Sequence, residues 1–300
     1  MALQASDGLV VIDKPAGMTS HDVVAKLRKI LGTKRVGHGG TLDPMATGLL
    51  IIGVNAGTKA LQFISGADKT YEATIVLGIS TVSDDADGEI TAQVDAHELS
   101  DDVVRAELQK FVGTIQQKPS AVSAIKIDGV RAHARVRAGE DVDIPARSVV
   151  IHSLDVEAFR TLDTTVEVDV TVACGTGTYI RSIARDLGEA LGVGGHLSKL
   201  RRTHSSGFSI DDSCDYESAA QHVLPLADAL SRFMPTVTVS SDQVARIANG
   251  QRLVWQWGDE LGPFVVKDSA GAVVAIGHRD VFNNREVLGY HSVFVQPLAG

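Results

Sequence analysis

The feature that most constrains the fold is a series of strand-like apolar segments that do not alternate regularly with helices. Length and alternation predict strands at residues 9–12, 49–54, 71–78, 121–127, 149–159, 166–174 and 200–209. Because strands outnumber helices and follow one another irregularly, we expect an α+β domain with a mixed, largely antiparallel sheet.

Capping residues and apolar stripes predict the helices. Thr19 and Asp22 have capping-box spacing before an apolar stripe, which predicts a helix that ends near Gly32. Ser100 followed by two acids predicts a helix to about residue 111, and the turn at 175–178 opens a striped helix to Leu191. A short helix is expected over 57–64, and the acidic stretch 83–88 predicts an exposed loop.

The pattern changes near Thr236 to short β-rich runs separated by turn dipeptides. We therefore predict two domains, residues 1–232 and a small β-rich unit at 233–300. Pro225 and Pro235 flank a stretch that could form a hinge between them.

Composition indicates the general class of the protein but does not identify a binding partner. The 300 residues are 44% hydrophobic, with no apolar run as long as a membrane span and no signal-peptide pattern, so we expect a cytoplasmic protein with no membrane partner. Cys174 and Cys214 lack metal-site spacing and are expected to be idle thiols. A net charge of −9 argues mildly against a nucleic-acid partner, but basic residues cluster at 26–35 and 199–204. Charge alone leaves the partner undecided.

A glycine-rich stretch at residues 36–50 is the candidate functional loop. Its four glycines allow positive φ and close approach of a ligand, while Pro44 biases Asp43 toward an extended backbone. Asp43 is a candidate nucleophile or base, with Arg181 as a plausible cationic partner and Tyr179 beside it. An aspartate that caps a tight turn fits the same pattern, and the residues alone favour that interpretation.

Other site types fit less well. His38 precedes Asp43, but no third ligand at suitable spacing supports a metal site, so none is predicted. No nucleophile-elbow sequence accompanies His38, and the lysine and hydroxyl of a phosphate-binding loop are missing after Gly40.

The loop nevertheless resembles the catalytic motif of the TruB family of pseudouridine synthases, bacterial enzymes of tRNA. The matching residues are Gly37-His38-x-Gly40-Thr41-Leu42-Asp43-Pro44-x-Ala46-Thr47-Gly48. Six further motifs follow the family order: Asp13-Lys14-Pro15-x-Gly17-x-Thr19-Ser20, Lys69-x-Tyr71, Thr81-x-Ser83-Asp84-Asp85-Ala86-Asp87-Gly88, Pro119-x-x-x-Ser123-Ala124-x-Lys126-x-x-Gly129, Gly175-Thr176-Gly177-Thr178-Tyr179-Ile180-Arg181-Ser182 and Leu200-Arg201-Arg202-Thr203. Seven ordered motifs over residues 8 to 210 are far more specific than any one of them.

The resemblance implies a pseudouridine-synthase catalytic domain at 1–232 and, more loosely, a PUA-like RNA-binding domain at 233–300. It implies isomerisation of uridine 55 in the tRNA T-arm, with the base flipped out and Asp43 as the catalytic residue. The route that Asp43 takes stays open among addition to the ribose, addition to the base and deprotonation at C2′.

The implied substrate-binding residues surround Asp43. Tyr71 would stack on the base or remove a proton, Arg181 would pair with Asp43, and Leu200 would pack in the pocket. Lys14 would support the site, His38 would fill the gap left by the flipped nucleotide, and Tyr179 would line the site. Contacts to the RNA backbone are expected from the basic residues Lys26, Arg35, Arg201 and Arg202.

The implied enzyme needs no cofactor, because an isomerisation has no net redox change, and it acts as a monomer without a guide RNA or protein partner. Two alternatives stay open: an RNA-binding or tRNA-folding factor on the same scaffold, and an aspartate-dependent hydrolase that would need a second carboxylate or a metal ligand near Asp43. Three residues depart from the family pattern: Gly39, where threonine or alanine is usual, Val122 and His133.

Overall fold

A ten-stranded mixed sheet forms the larger part of the protein in the computed structural model, which describes residues 6–120, 122, 126–127, 130–131, 144–259 and 261–296. The strands in chain order are β1 Gly8–Lys14, β2 Val36–Gly39, β3 Thr47–Val54, β4 Lys69–Leu77, β5 Ile79–Thr81, β6 Ile90–Gln93, β7 Gly113–Gln117, β8 Lys126–Ile127, β9 Val130–Arg131, β10 Arg147–Thr161, β11 Val166–Cys174, β12 Gly195–Ser205, β13 Phe208–Ser209, β14 Leu224–Pro225, β15 Thr236–Thr238, β16 Leu253–Val254, β17 Phe264–Lys267, β18 Val273–Phe282 and β19 Arg285–Val293.

The large sheet has the order β14-β1-β3-β12-β4-β11-β10-β7, with β2 paired to β3 and β13 paired to β12. Among its described pairings, β3 with β12 is parallel and the others are antiparallel. The prediction of an α+β fold with a mixed, largely antiparallel sheet is confirmed.

Helices pack on both faces of this sheet, since Val10 and Ile12 of β1 lie in one core cluster and Leu9 and Val11 in another, each with helix residues. The helices are α1 Ser20–Ile30, α2 Leu61–Ser65, α3 Asp101–Gln109, α4 Ile180–Ala190, α5 Leu226–Leu230 and α6 Ser241–Ala248. Thr19 and Asp22 form the expected capping box at the start of α1. The apolar stripes of α1, α3 and α4 pack into one core with the inward-facing residues of β11, whose buried and partly exposed positions alternate along the strand.

Three local predictions were wrong. The first part of the glycine-rich stretch is not a loop, because β2 pairs with β3 along its length. Strand β12 begins at Gly195, five residues before the predicted start. The stretch between Pro225 and Pro235 is not a free hinge: it holds α5, whose Leu226 and Leu230 are buried. The predicted strand at 121–127 falls mostly outside the described residues, as does His133.

A second sheet of five strands, in the order β15-β17-β18-β19-β16, occupies the chain from Thr236 to Val293. Leu230 of α5 shares a buried cluster with Val265 and Ile276 of this sheet, so the two sheets pack through α5. The β-rich character of the C-terminal part is confirmed, while a boundary at residue 232 stays a prediction. Within the described ranges, no helix is long and apolar enough to cross a membrane.

Candidate active site

A pocket of about 260 Å³ opens at the junction of the loop after β2, strand β4, the start of α4 and strand β12. Its lining includes Gly40, Leu42, Asp43, Lys69, Tyr71, Cys174, Tyr179, Arg181, Leu200 and Arg202. Five of the seven predicted catalytic and substrate-binding residues are therefore together in one cavity. Of the other two, Lys14 donates a hydrogen bond to the Pro44 carbonyl of the loop, and His38 lies on β2; neither lines the pocket.

The centre of the site is the contact between Asp43 and Arg181. Arg181 Nε lies 2.9 Å from Asp43 Oδ2, although its N–H is not aligned for a hydrogen bond. The Arg181 side chain is 4% exposed, whereas that of Asp43 is 36% exposed. A buried cation thus holds a carboxylate that a substrate can still reach.

Asp85 is a second carboxylate at this arginine, and the sequence did not predict it as a site residue. Its Oδ2 lies 3.3 Å from Arg181 Nη1, and Arg181 also donates to the Ser83 carbonyl at 2.7 Å. The prediction that residues 83–88 form an exposed loop is wrong for Ser83, Asp84 and Asp85, which are buried. Their burial follows from their partners, because Arg181 and Arg185 of α4 compensate the charges of Asp85 and Asp84.

The departure at Val122 leaves the arginine network intact. Arg181 Nη2 donates to the Val122 carbonyl at 3.0 Å, and a backbone acceptor is available whatever the side chain. The start of α4 is held from the other side by Gln117, which donates to the Tyr179 carbonyl at 3.0 Å and accepts from the Tyr179 amide at 2.8 Å. Gln117 is another contributor that the sequence analysis missed.

Two buried side chains anchor the loop that carries Asp43. Ser20 Oγ donates to the Leu42 carbonyl at 3.1 Å and accepts from the Leu42 amide at 2.9 Å. Lys14 Nζ donates to the carbonyls of Pro15, Met18 and Pro44 at 2.9, 2.6 and 3.3 Å. The residues on both sides of Asp43 are therefore fixed to α1 and to the end of β1.

Tyr71 and Leu200 form the apolar part of the pocket. Each is 8% exposed, Tyr71 on β4 and Leu200 on β12. Burial raises the pKa of the Tyr71 phenol, and the nearby Arg202 charge opposes this effect without cancelling it. Tyr71 is accordingly a neutral phenol near pH 7, suited to contact an uncharged ring.

His38 lies on β2, edge-on to His21 of α1, with ring centroids 5.2 Å apart. Burial lowers the pKa of His38 to about 4, so its imidazole is neutral at physiological pH. A neutral, half-buried ring at this position can pack against a base without introducing a charge.

The four predicted RNA-backbone residues lie in different surroundings. Lys26 and Arg35 are exposed, and Lys26 Nζ lies 4.8 Å from the ring centroid of Tyr216. Arg201 is partly exposed and pairs with Asp13 through two nitrogen atoms. Arg202 is instead buried: it is 1% exposed, and its Nε donates to the Leu49 carbonyl at 2.7 Å inside the sheet. Its contact with the RNA backbone stays a prediction.

Potential metal ligands and thiols were the remaining candidates for chemistry at the site. No group of three or more His, Cys, Asp or Glu side chains there has the geometry of a metal site. Cys174 lines the pocket, but burial raises its pKa to about 11, so the thiol stays protonated and is a poor nucleophile near pH 7.

Comparisons with known proteins agree on one family. A model of the TruB family pseudouridylate synthase N-terminal domain matches residues 28–180, and one of the tRNA pseudouridylate synthase B C-terminal domain matches residues 181–232. The tRNA pseudouridine synthase B of Arthrobacter sp. (strain FB24) is 50% identical over 272 residues, covering 89% of each chain. That of Thermobifida fusca (strain YX) is 46% identical and covers 83% of this chain and 87% of its own.

Solved structures share the fold. A chain in the crystal structure of a Cbf5-Nop10-Gar1 complex superposes with a TM-score of 0.74 at 25% sequence identity. The match covers 98% of this chain and 87% of that one.

Proposed function

Since this chain belongs to the TruB family of pseudouridylate synthases, we propose that it isomerises a uridine of tRNA to pseudouridine. The relatives named tRNA pseudouridine synthase B, matched over most of their length, support a tRNA substrate. The observation that carries the proposal is the position of Asp43, which pairs with buried Arg181 and lines the same pocket as Tyr71 and Leu200.

The proposed substrate position is uridine 55 in the T-arm. A uridine stacked in a folded arm cannot reach Asp43, so the base must flip out at a cost of about a few kcal/mol. Stacking on an aromatic side chain returns about 1–3 kcal/mol per base. Tyr71 is the aromatic wall of the pocket and Leu200 is the aliphatic one, so together they can hold the flipped base.

The chemistry breaks the bond between C1′ and N1 and forms one between C1′ and C5. The proton on C5 is lost and N1 gains one, so atoms balance without a redox partner. Asp43 would start the reaction as a carboxylate aimed by Arg181, on the ribose, on the base or at the C2′ proton. The raised pKa of Tyr71 disfavours a phenolate, which supports stacking more strongly than proton removal by this residue.

The supporting residues act through position. Lys14 and Ser20 hold the backbone on either side of Asp43, and Tyr179 lines the pocket at the start of α4. His38 would occupy the space that the flipped nucleotide leaves in the arm, and its neutral ring fits that role. Exposed Lys26 and Arg35 would contact RNA phosphates.

Two alternatives are weaker on specific grounds. An RNA-binding factor without catalytic activity would have no need for a carboxylate that is held by a buried arginine and lines a pocket, as Asp43 does. An aspartate-dependent hydrolase would need a second carboxylate, and Asp85 supplies one across Arg181. Asp85 is buried and outside the pocket lining, however, so it cannot activate a water molecule beside the substrate.

A tritium-release assay tests the proposal. The purified protein, alone and without a guide RNA, is incubated with a T-arm stem-loop labelled with tritium at C5 of uridine. We expect release by the wild type and by Asp102→Asn, which changes an exposed carboxylate on α3, and none by Asp43→Asn. If the wild type binds the RNA tightly but releases no tritium, the enzyme hypothesis fails and the binding-factor hypothesis takes its place. Sedimentation of the active sample tests the proposed monomer.

A further inference from the structure

The side chains of two basic residues, Lys69 and Arg202, approach the same point at Gly40 in the pocket, and the proposed chemistry uses neither of them. Gly40 has a φ of +85°, and a Cβ on it would lie 3.4 Å from Arg202 Nη1 and 3.6 Å from Lys69 Cε. Both residues line the same cavity as Asp43 and Tyr71. The guanidinium of Arg202 and the lysine chain therefore flank one point beside the catalytic loop.

One donor of the Arg202 guanidinium lacks a well-aligned partner there. Its Nε donates to the Leu49 carbonyl and its Nη2 to the Gly40 carbonyl at 3.1 Å, whereas buried Nη1 makes no well-aligned hydrogen bond to a described residue. The Tyr71 hydroxyl also interacts with this guanidinium. The residue is 1% exposed. A fixed guanidinium that lines a pocket can bind an anion, since its planar fork matches carboxylate and phosphate oxygens.

Lys69 lies next to it with a donor to spare. Its Nζ donates to the carbonyls of Ser65 at 3.1 Å and Ala67 at 2.5 Å, which leaves one of three ammonium protons for another partner. Burial and the neighbouring Arg202 charge both lower the pKa of Lys69. An anion between the two side chains would relieve both effects.

We propose that Lys69 and Arg202 bind a phosphodiester group of the RNA, one of the two that flank the flipped uridine. This rests on the proposed function, because flipping is what brings a strand's phosphate into the pocket together with the base. The site would fix the nucleotide by its backbone while Tyr71 and Leu200 hold its base, so the ribose would lie between these contacts at Asp43.

The contact is tested by removing the charge of the RNA phosphate and the charge of Lys69, one at a time and together. The RNA is a T-arm stem-loop with an uncharged methylphosphonate at the linkage 5′ or 3′ of the target uridine. Its affinity is measured for the wild type and for Lys69→Gln. Glutamine keeps a donor for the backbone carbonyls but removes the charge, whereas Lys69→Arg keeps the charge. Lys110→Met is the matched control, because Lys110 is an exposed lysine on the end of α3.

We expect one of the two methylphosphonates to weaken binding to the wild type about tenfold. Lys69→Gln should bind unmodified RNA about as weakly, lose nothing further from that methylphosphonate, and show a salt slope smaller by about 0.7. Lys69→Arg should retain most of the affinity, and Lys110→Met should behave as wild type.

The inference would be overturned if Lys69→Gln and the methylphosphonate lowered RNA affinity independently and additively. It would also be overturned if neither methylphosphonate linkage changed the affinity. Competition by inorganic phosphate without any linkage effect would mean that the site takes a free anion instead. These outcomes leave tritium release by the wild type intact, so they are distinct from failure of the proposed function.

Discussion

Replacing Ser20 by alanine should loosen the catalytic loop without touching the pocket. Ser20 is 1% exposed, and its hydroxyl bonds both the amide and the carbonyl of Leu42. A buried polar group left without a partner costs about 1–3 kcal/mol, so losing both bonds would cost about 2–6 kcal/mol. We expect the lower half of that range, because water can enter the space of the missing hydroxyl.

The same change should lower kcat, because Leu42 precedes Asp43 and a displacement near 1 Å can cost about a hundredfold. Urea unfolding gives the free-energy change, and tritium release gives kcat and KM. Ser269→Ala is the control, since Ser269 is exposed between β17 and β18 and its loss should change stability by less than about 0.5 kcal/mol. A Ser20→Ala protein with wild-type stability and kcat would refute the anchoring role.

Two further predictions concern packing and pH. A Cβ at Gly39 would lie 2.5 Å from Ile64 Cγ2, so Gly39→Ala should destabilise the protein by about 1–3 kcal/mol in thermal unfolding. In an Ile64→Ala background, which lacks Cγ2, Gly39→Ala should cost less stability, and an equal cost in both backgrounds would contradict the clash. Burial lowers the pKa of Lys14 from 10.5 to about 8, so kcat should fall as pH rises through that value, and Lys14→Arg should shift the fall upward. Stability should instead rise between pH 8 and 10.5, where the unfolded lysine alone keeps its proton; a flat stability profile there would contradict it.

Local signals predicted the elements, and ordered motifs predicted the family. The capping box at Thr19 and the stripe of α4 depend on neighbours within one or two turns, so a single sequence contains the whole signal. The residues alone favoured a structural role for Asp43. The resemblance pointed to its pairing with Arg181, which lies at 2.9 Å.

Contacts between distant segments could not be predicted in this way. Residues 83–85 look like a solvated acidic run, and only their packing against α4, with Ser83 98 positions from Arg181, makes them buried. From the sequence, Arg202 likewise resembles its partly exposed neighbour Arg201, because no local pattern indicates which of the two side chains is buried. The sequence does not show why position 39 is a glycine, because the side chain of Ile64 in α2, 25 positions away, fills the space that a Cβ would need.

The parallel pairing of β3 with β12 also determines when a site can exist during synthesis. The contact of the Thr47 hydroxyl with the Leu200 carbonyl, 3.5 Å long, joins residues 153 positions apart, and β12 also lies against β4. Pairings at such separation form slowly and late, after long loops have closed. A nascent chain that has left the ribosome only as far as α3 therefore contains Asp43 but has neither its arginine nor the far wall of its pocket.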